Sequence, residues 1–363
     1  MSRITQYYKG IELGMIPLDD AADKREAYRD SVNRYLERLR VESAAKRRAY
    51  ISPESLAANR EKYRAEYIAM LGAPLTERSY DMPVPEAKVE PCVTDGQATA
   101  YRVTLKVMED FDFSGLLLIP NDYRKGEKRP LVIAQHGGGG TSELICDLVG
   151  QNNYGNCARR HLERGAVVFA PQLLLWNAGN DTGSNIPGVG SPYDRRKVDI
   201  ELRQFGSSIT AVEVFCISRA IDWLVTRPET DPGRIGMNGL SYGGFYTLMT
   251  AAADTRIKCA YTCACFNDRI RYNWPDMSWF NSGNTFLDAE IAGLIAPRRL
   301  WIDVGREDAV FDYKSAIPVG EQVPAYFEAA GVPGNAVFCL WDGGHKMNTS
   351  EEPLDFFYAG LNE

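Results

Sequence analysis

The sequence predicts an α/β protein, with a mostly parallel central sheet covered by helices on both faces and a helical extension in front of it. Two observations predict this. From about residue 130 of the 363, apolar runs of strand length alternate with amphipathic stretches of helix length, the pattern of a parallel sheet buried on both sides. Before about residue 76 the chain is highly charged, and its apolar residues recur at three- and four-residue steps, the period of a surface helix. The division read from this change is a helical extension over 1–76 and a sheet-bearing domain over 77–363.

Taken in order, a first helix is expected over 20–48, where Tyr28, Val32, Tyr35, Leu36 and Leu39 mark one apolar stripe. A second begins at Ser52, with Pro53 in its first turn and Leu56, Tyr63, Tyr67 and Met70 as its stripe, until Gly72 and Pro74 stop it. Two such helices cannot build a core alone. They must pack on the second domain or on another subunit, so a homo-oligomer is one possible arrangement. Lys46, Arg47 and Arg48 read as a solvated helix face. Short alternating runs at 100–107 and 113–120 read as antiparallel strands that open the sheet. Strands and helices then alternate: strands at 130–135 and 166–171, a helix at 210–226, a strand at 233–238, a helix start at 245–253, and strands at 257–265, 299–305 and 335–341. In the 210–226 helix, Val214, Ile217, Ile221 and Leu224 share the side that should cover the sheet. Cys259, Cys263 and Cys265 fall on odd positions of one run and are expected on one face of a buried strand.

Composition excludes some function classes. Lys and Arg number 41 against 48 Asp and Glu, a net charge of −7, which disfavours nucleic acid and anionic membrane surfaces as partners. Nowhere do about 18 apolar residues stand together, as a membrane span requires, and residues 1–20 lack the basic and apolar regions of a signal peptide. A cytoplasmic location with free thiols is the expectation for the 8 dispersed cysteines.

Three segments carry the chemistry. Gly239-Leu240-Ser241-Tyr242-Gly243 stands between a predicted strand and a predicted helix, so Ser241 sits on a sharp turn with its hydroxyl exposed. A serine hydroxyl needs a base to take its proton. The chain has 3 histidines, His136, His161 and His345. His161 lies in a surface helix and His136 in a glycine loop, where each reads as structural. His345 follows the last predicted strand and is the expected base. An acid must orient that imidazole. Asp308, three residues past Gly305, and its neighbour Glu307 are the candidates. Asp303 falls inside the strand, and Asp312 reads as a surface carboxylate.

With His136-Gly137-Gly138-Gly139-Gly140 following an apolar strand, and with the order serine, acid, histidine, the chain resembles the α/β-hydrolase superfamily. The residues around Ser241, including Ser241-Tyr242-Gly243-Gly244, look most like its acetyl xylan esterase, dienelactone hydrolase and prolyl-oligopeptidase groups. The resemblance implies a triad of Ser241, Asp308 and His345. It also implies an oxyanion hole formed by the backbone N–H of Tyr242 with Gly137 or Gly138. Neither a metal nor an organic cofactor is implied. Residues 1–75 are too few for the propeller domain that accompanies prolyl oligopeptidases.

Substrate selection is expected from two long connections, 172–205 with Trp176 and 266–286 with Trp274 and Trp279. Aromatic faces among short polar side chains suit sugar rings bearing ester groups, although the tryptophans could equally anchor the loop to the core. The expected partner is a small ester, with carbohydrate esters among the candidates. The expected activity is deacetylation through an acyl-enzyme, with amide hydrolysis as the alternative and a non-catalytic binding role as the minority one.

Overall fold

The computed structural model describes residues 5–14, 18–150, 152–174 and 195–363. A hairpin of β1 (Gln6–Tyr8) and β2 (Ile11–Leu13) comes first. Helices α1 (Leu18–Tyr50), α2 (Pro53–Ala58) and α3 (Arg60–Leu71) follow. Then come β3 (Glu86–Thr94), β4 (Ala98–Met108), β5 (Phe111–Pro120), β6 (Arg129–Gln135), α4 (Ser142–Ile145), α5 (Cys157–Glu163) and β7 (Val167–Pro171). Next are α6 (Arg195–Gln204), α7 (Ile209–Leu224), β8 (Thr230–Leu240), α8 (Tyr242–Ala253), β9 (Ile257–Cys263) and α9 (Asp288–Gly293). The chain closes with β10 (Arg299–Gly305), α10 (Tyr313–Gly320), α11 (Val323–Ala329), β11 (Ala336–Trp341) and α12 (Glu352–Leu361).

Nine strands form one sheet in the order β11-β10-β9-β8-β6-β7-β5-β4-β3. The six from β11 to β7 pair in parallel, and β5, β4 and β3 continue the sheet antiparallel. β10, β9, β8, β6 and β7 lie inside, where their apolar runs are covered on both faces, and β11 forms one edge. One core cluster packs α7, α8 and the α2–α3 helices against one face. The other packs α4, α5 and α12 against the opposite face. Val214, Ile217, Ile221 and Leu224 of α7 are fully buried, as a sheet-covering helix requires.

The helical extension divides into a packed and a projecting part. Leu56, Tyr63, Tyr67 and Leu71 join the main core, and the Tyr67 hydroxyl donates to the Met249 carbonyl at 3.1 Å. Along α1, Tyr28, Val32, Tyr35 and Leu36 are exposed, whereas Ser43 is buried and Arg47 pairs with Glu290 at 3.1 Å. The second predicted helix is split in two at Asn59 (φ −132°, ψ 35°), whose side-chain amide donates to the Ser55 carbonyl. The three cysteines do not share one face. β9 ends at Cys263, and Ala264 in the left-handed region (φ 52°) breaks the alternation, which sends Cys265 into the opposite cluster from Cys259 and Cys263.

Candidate active site

The nucleophile turn is built by close backbone approach. Ser241 joins β8 to α8 with φ 59° and ψ −122°, a conformation that a non-glycine residue holds only when its surroundings force it. Its N–H donates to the Cys263 carbonyl at 2.9 Å, which ties the turn to β9. A Cβ at Gly239 would strike the Gly243 carbonyl, and one at Gly243 would strike Gln135, so both positions exclude a side chain. Ser241 thus stands at the carboxyl end of a central parallel strand, where open α/β sheets bind ligands.

The loop 136–140 lies against this turn. A Cβ at Gly137 would come within 3.2 Å of the Ser241 Cβ, and one at Gly138 within 3.1 Å of the Tyr242 ring. His136 is fully buried. Its Nε2 accepts the Leu173 N–H at 3.0 Å, so Nδ1 carries the proton and donates to the Gly137 carbonyl at 2.8 Å. Burial holds this imidazole down to about 4, and it is neutral at neutral pH. The two glycines expected at the oxyanion hole differ in their surroundings. The Gly137 N–H donates to the hydroxyl of the buried Tyr154 at 2.9 Å, whereas Gly138 is exposed.

The structure brings Asp308 and His345 together from the loops after β10 and β11. The Arg306 N–H donates to the Trp341 carbonyl and the Glu307 N–H to the Gly343 carbonyl, both at 2.9 Å, which zips the two loops. Asp308 Oδ2 then accepts from His345 Nδ1 at 2.9 Å, while Oδ1 accepts the N–H groups of Val310 at 2.7 Å and Phe311 at 3.0 Å. The Asp308 side chain is 1% exposed and that of His345 22%, so the carboxylate is sequestered and the imidazole is reachable. Its Nε2 is the nitrogen left for a hydroxyl. Glu307 is exposed. Asp303 is buried in β10, bonded by Tyr261 and Trp301 at 2.7 Å each. Asp312 caps α10 through the Lys314 N–H. Asn153 braces the histidine loop by donating to the His345 carbonyl at 2.9 Å and accepting the Met347 N–H.

An aromatic row runs from the imidazole toward the nucleophile turn. Phe311 lies 5.9 Å from His345, Trp274 lies 5.4 Å from Phe311, and Tyr242 stacks on Trp274 at 5.6 Å. Behind the row sits a buried ionic network. The Tyr242 hydroxyl donates to Asp276 at 3.1 Å, and Asp276 pairs with Arg195, which also pairs with Glu213 at 2.9 Å. Burial raises the Glu213 carboxyl above its ordinary range, against the pull of Arg195. Trp274 is half-exposed. Trp279 is buried and lies parallel to Phe245 at 6.1 Å, in the core-anchoring role. Trp176 and most of the 172–205 connection lie outside the described residues.

Tyr154, Asn153 and the Arg195 network are not apparent in the sequence, because they reach the site from distant segments. One local signal was available. An aspartate accepts readily from the amides two and three residues ahead, as Asp308 does, and this favours it over the longer Glu307. His161, expected on a surface helix, is fully buried and bonds the Tyr358 hydroxyl at 2.9 Å.

The chain is similar to several known proteins. Residues 210–328 match the family model of the X-Pro dipeptidyl-peptidase (S15 family). YtaP of Bacillus subtilis (strain 168), which bears the name of a hydrolase, is 25% identical over 154 residues, 40% of this chain and 52% of that protein. The match thus spans about half of that relative's length. Among solved structures, a Bacteroides fragilis protein bearing the name acetyl xylan esterase has a TM-score of 0.63 at 16% identity, covering 80% of this chain and 76% of its own. The glucuronoyl esterase from Solibacter usitatus has a TM-score of 0.60 at 17% identity, covering 86% and 94%. Acetyl xylan esterase 1 from Thermoanaerobacterium sp. has 0.54 at 15% identity, covering 84% and 94%. The sheet order, the serine turn at the end of its central strand and these structural likenesses show that the chain has the α/β-hydrolase fold.

Proposed function

We propose that the protein is a serine carboxyl-ester hydrolase acting through an acyl-enzyme on a small acyl ester, with an acetylated sugar as the favoured substrate class. In this reading Ser241 attacks the ester carbonyl, and His345 takes its proton and returns it to the leaving alcohol. Asp308 holds the imidazole in the required tautomer and stabilises its charged form. The tetrahedral oxyanion is held by the backbone N–H groups of Tyr242 and Gly138. Water, activated by His345, then releases the acid. The observation that carries the reading is the Asp308–His345 hydrogen bond at 2.9 Å, made on loops beside the strained Ser241 turn. The structurally similar esterases, whose names concern acetylated xylan and glucuronoyl esters, favour the substrate class. Trp274, half-exposed and stacked on Tyr242, offers a face for a sugar ring.

The S15 match over 210–328 favours a second reading, hydrolysis of peptide or amide bonds by the same residues. Hydrolysis of 4-nitrophenyl acetate and of an aminoacyl 4-nitroanilide, each measured beside Ser241→Ala, separates the two. Acetate release lost in the variant, with the anilide uncleaved, is the expected result. Cleavage of the anilide by the parent protein puts the peptidase reading first, and acetate release that survives Ser241→Ala overturns the assigned nucleophile.

A further inference from the structure

Helix α1 has 33 residues and is therefore about 50 Å long, and it is anchored to the body near its C-terminal end. There Ser43 is buried, and Arg47 pairs with Glu290 at 3.1 Å and donates to the Gly283 carbonyl at 2.6 Å. Farther out, Tyr28 is 74% exposed, Tyr35 50%, Leu36 43% and Val32 40%. A helix in water draws most of its stability from packing its apolar face, so this stripe calls for a cover.

The spacing of the stripe says what shape the cover has. Positions 18, 21, 25, 28, 32, 35 and 39 recur at alternating steps of three and four, and all but Arg25 are apolar. This is the 3.5-residue repeat of a coiled-coil seam, narrower than the stripe of a helix that lies on a protein body. At its inner end the seam opens on a groove of about 360 Å³, lined by Leu36 and Leu39 together with Ile270, Met277 and Leu287. The surface therefore fits another helix, laid along α1.

Charge selects which helix. Residues 18–30 carry five acidic and three basic side chains, whereas 31–48 carry two acidic and six basic. Asp19, Asp23 and Glu26 are exposed and make no ion pair among the described residues. Arg34 and Arg48 are likewise exposed and have no carboxylate partner there. A second α1 laid antiparallel sets its acidic end beside the basic half of the first, and the twofold axis repeats the match at the other end. Parallel pairing sets like charge on like.

The area is sufficient. The rings of Tyr7, Tyr8, Tyr28 and Tyr35 are each at least half exposed and present on the order of 500 Å² per copy. Ile11, Leu18, Val32 and Leu36, also exposed, bring the face to the ~800 Å² per partner of a standard interface. The β1–β2 hairpin, with every residue of both strands exposed, gains from the same cover, since a lone two-stranded hairpin is marginal in water.

We propose that the projecting half of α1, with the hairpin ahead of it, is a dimerisation arm that pairs antiparallel with the same arm of a second copy of this chain. The Tyr28, Val32 and Tyr35 seam forms its apolar centre, and the acidic and basic ends fix its direction.

The test is the mass of the full chain in solution, by light scattering after size exclusion and by sedimentation equilibrium, from the low micromolar range upward. The expected result is twice the 40.5 kDa of one chain. Val32→Glu combined with Tyr35→Glu should weaken the association at least tenfold, and because both side chains are exposed the core of the monomer is untouched. Asp19→Lys with Asp23→Lys should weaken it as well, as should Arg34→Glu with Arg38→Glu. Mixing these two charge-reversed chains should restore a dimer of unlike chains, because each end again meets opposite charge. A monomer at every concentration, a dimer indifferent to Val32→Glu with Tyr35→Glu, or charge-reversed chains that stay apart on mixing overturns the proposal.

Discussion

The hydroxyl of Tyr154 accepts the amide hydrogen of Gly137 at 2.9 Å, and Gly137 in turn lies against the Cβ of Ser241. A tyrosine from the segment before α5 therefore fixes the height of the glycine loop over the nucleophile turn. Tyr154→Phe leaves that amide buried without a partner, at a cost of about 1–3 kcal/mol. Thermal unfolding should show the lower stability, and kcat for 4-nitrophenyl acetate should fall more than KM changes, because the loop donor is misplaced only where negative charge develops.

Asp308 and Glu307 are neighbours in sequence with opposite environments, one sequestered beside His345 and the other exposed. Asp308→Asn should lower kcat by about 10²- to 10⁴-fold, and Glu307→Gln should leave it within about twofold. Comparable losses in both would remove Asp308 from the acid's role.

The two tryptophans of the 266–286 connection should separate by readout. Trp279→Ala removes a buried ring stacked on Phe245 and should destabilise the fold by about 3–5 kcal/mol. Trp274→Ala removes a half-exposed face and should raise KM for a sugar ester about two- to tenfold with a smaller loss of stability. Urea unfolding and steady-state kinetics on the same preparations give both values.

Two buried neutral histidines make stability depend on pH in a stated direction. Burial holds His136 down to about 4 and His161 to about 3, below the ordinary value near 6.5. As pH falls below about 6.5 the unfolded chain takes up protons that the folded chain refuses, so stability declines toward pH 4 and is fully present above about 6.5. Each imidazole contributes a slope of about 1.4 kcal/mol per pH unit within that window. Replacing His161 with glutamine should flatten the slope of urea-derived stability between pH 4.5 and 6 by about that amount. An unchanged slope would contradict the burial argument.

The sheet was legible because its strands are apolar runs of the right length, and β10 occupies the predicted 299–305. The serine turn was legible because two glycines flank Ser241 at positions where the backbone touches itself. What escaped was non-local or depended on a single backbone angle. The engagement of Gly137 by Tyr154, the split of the second helix at Asn59 and the displacement of Cys265 by the left-handed Ala264 are of this kind. The exposed β1–β2 hairpin was also missed, being only three residues per strand.

The distribution of sulfur has a practical result. Six of the eight cysteines are buried, one is half-buried, and Cys92 alone is exposed, on the edge strand β3. Burial pushes the thiols of Cys157 and Cys259 up to about 12 and those of Cys265 and Cys339 to about 11, and raises those of Cys146, Cys216 and Cys263 as well. The thiolate is the reactive form, so the interior sulfurs are poor substrates for oxidants and alkylating reagents. A maleimide dye added to the native protein should therefore label a single position and report from the edge of the sheet, with the eight native cysteines left in place.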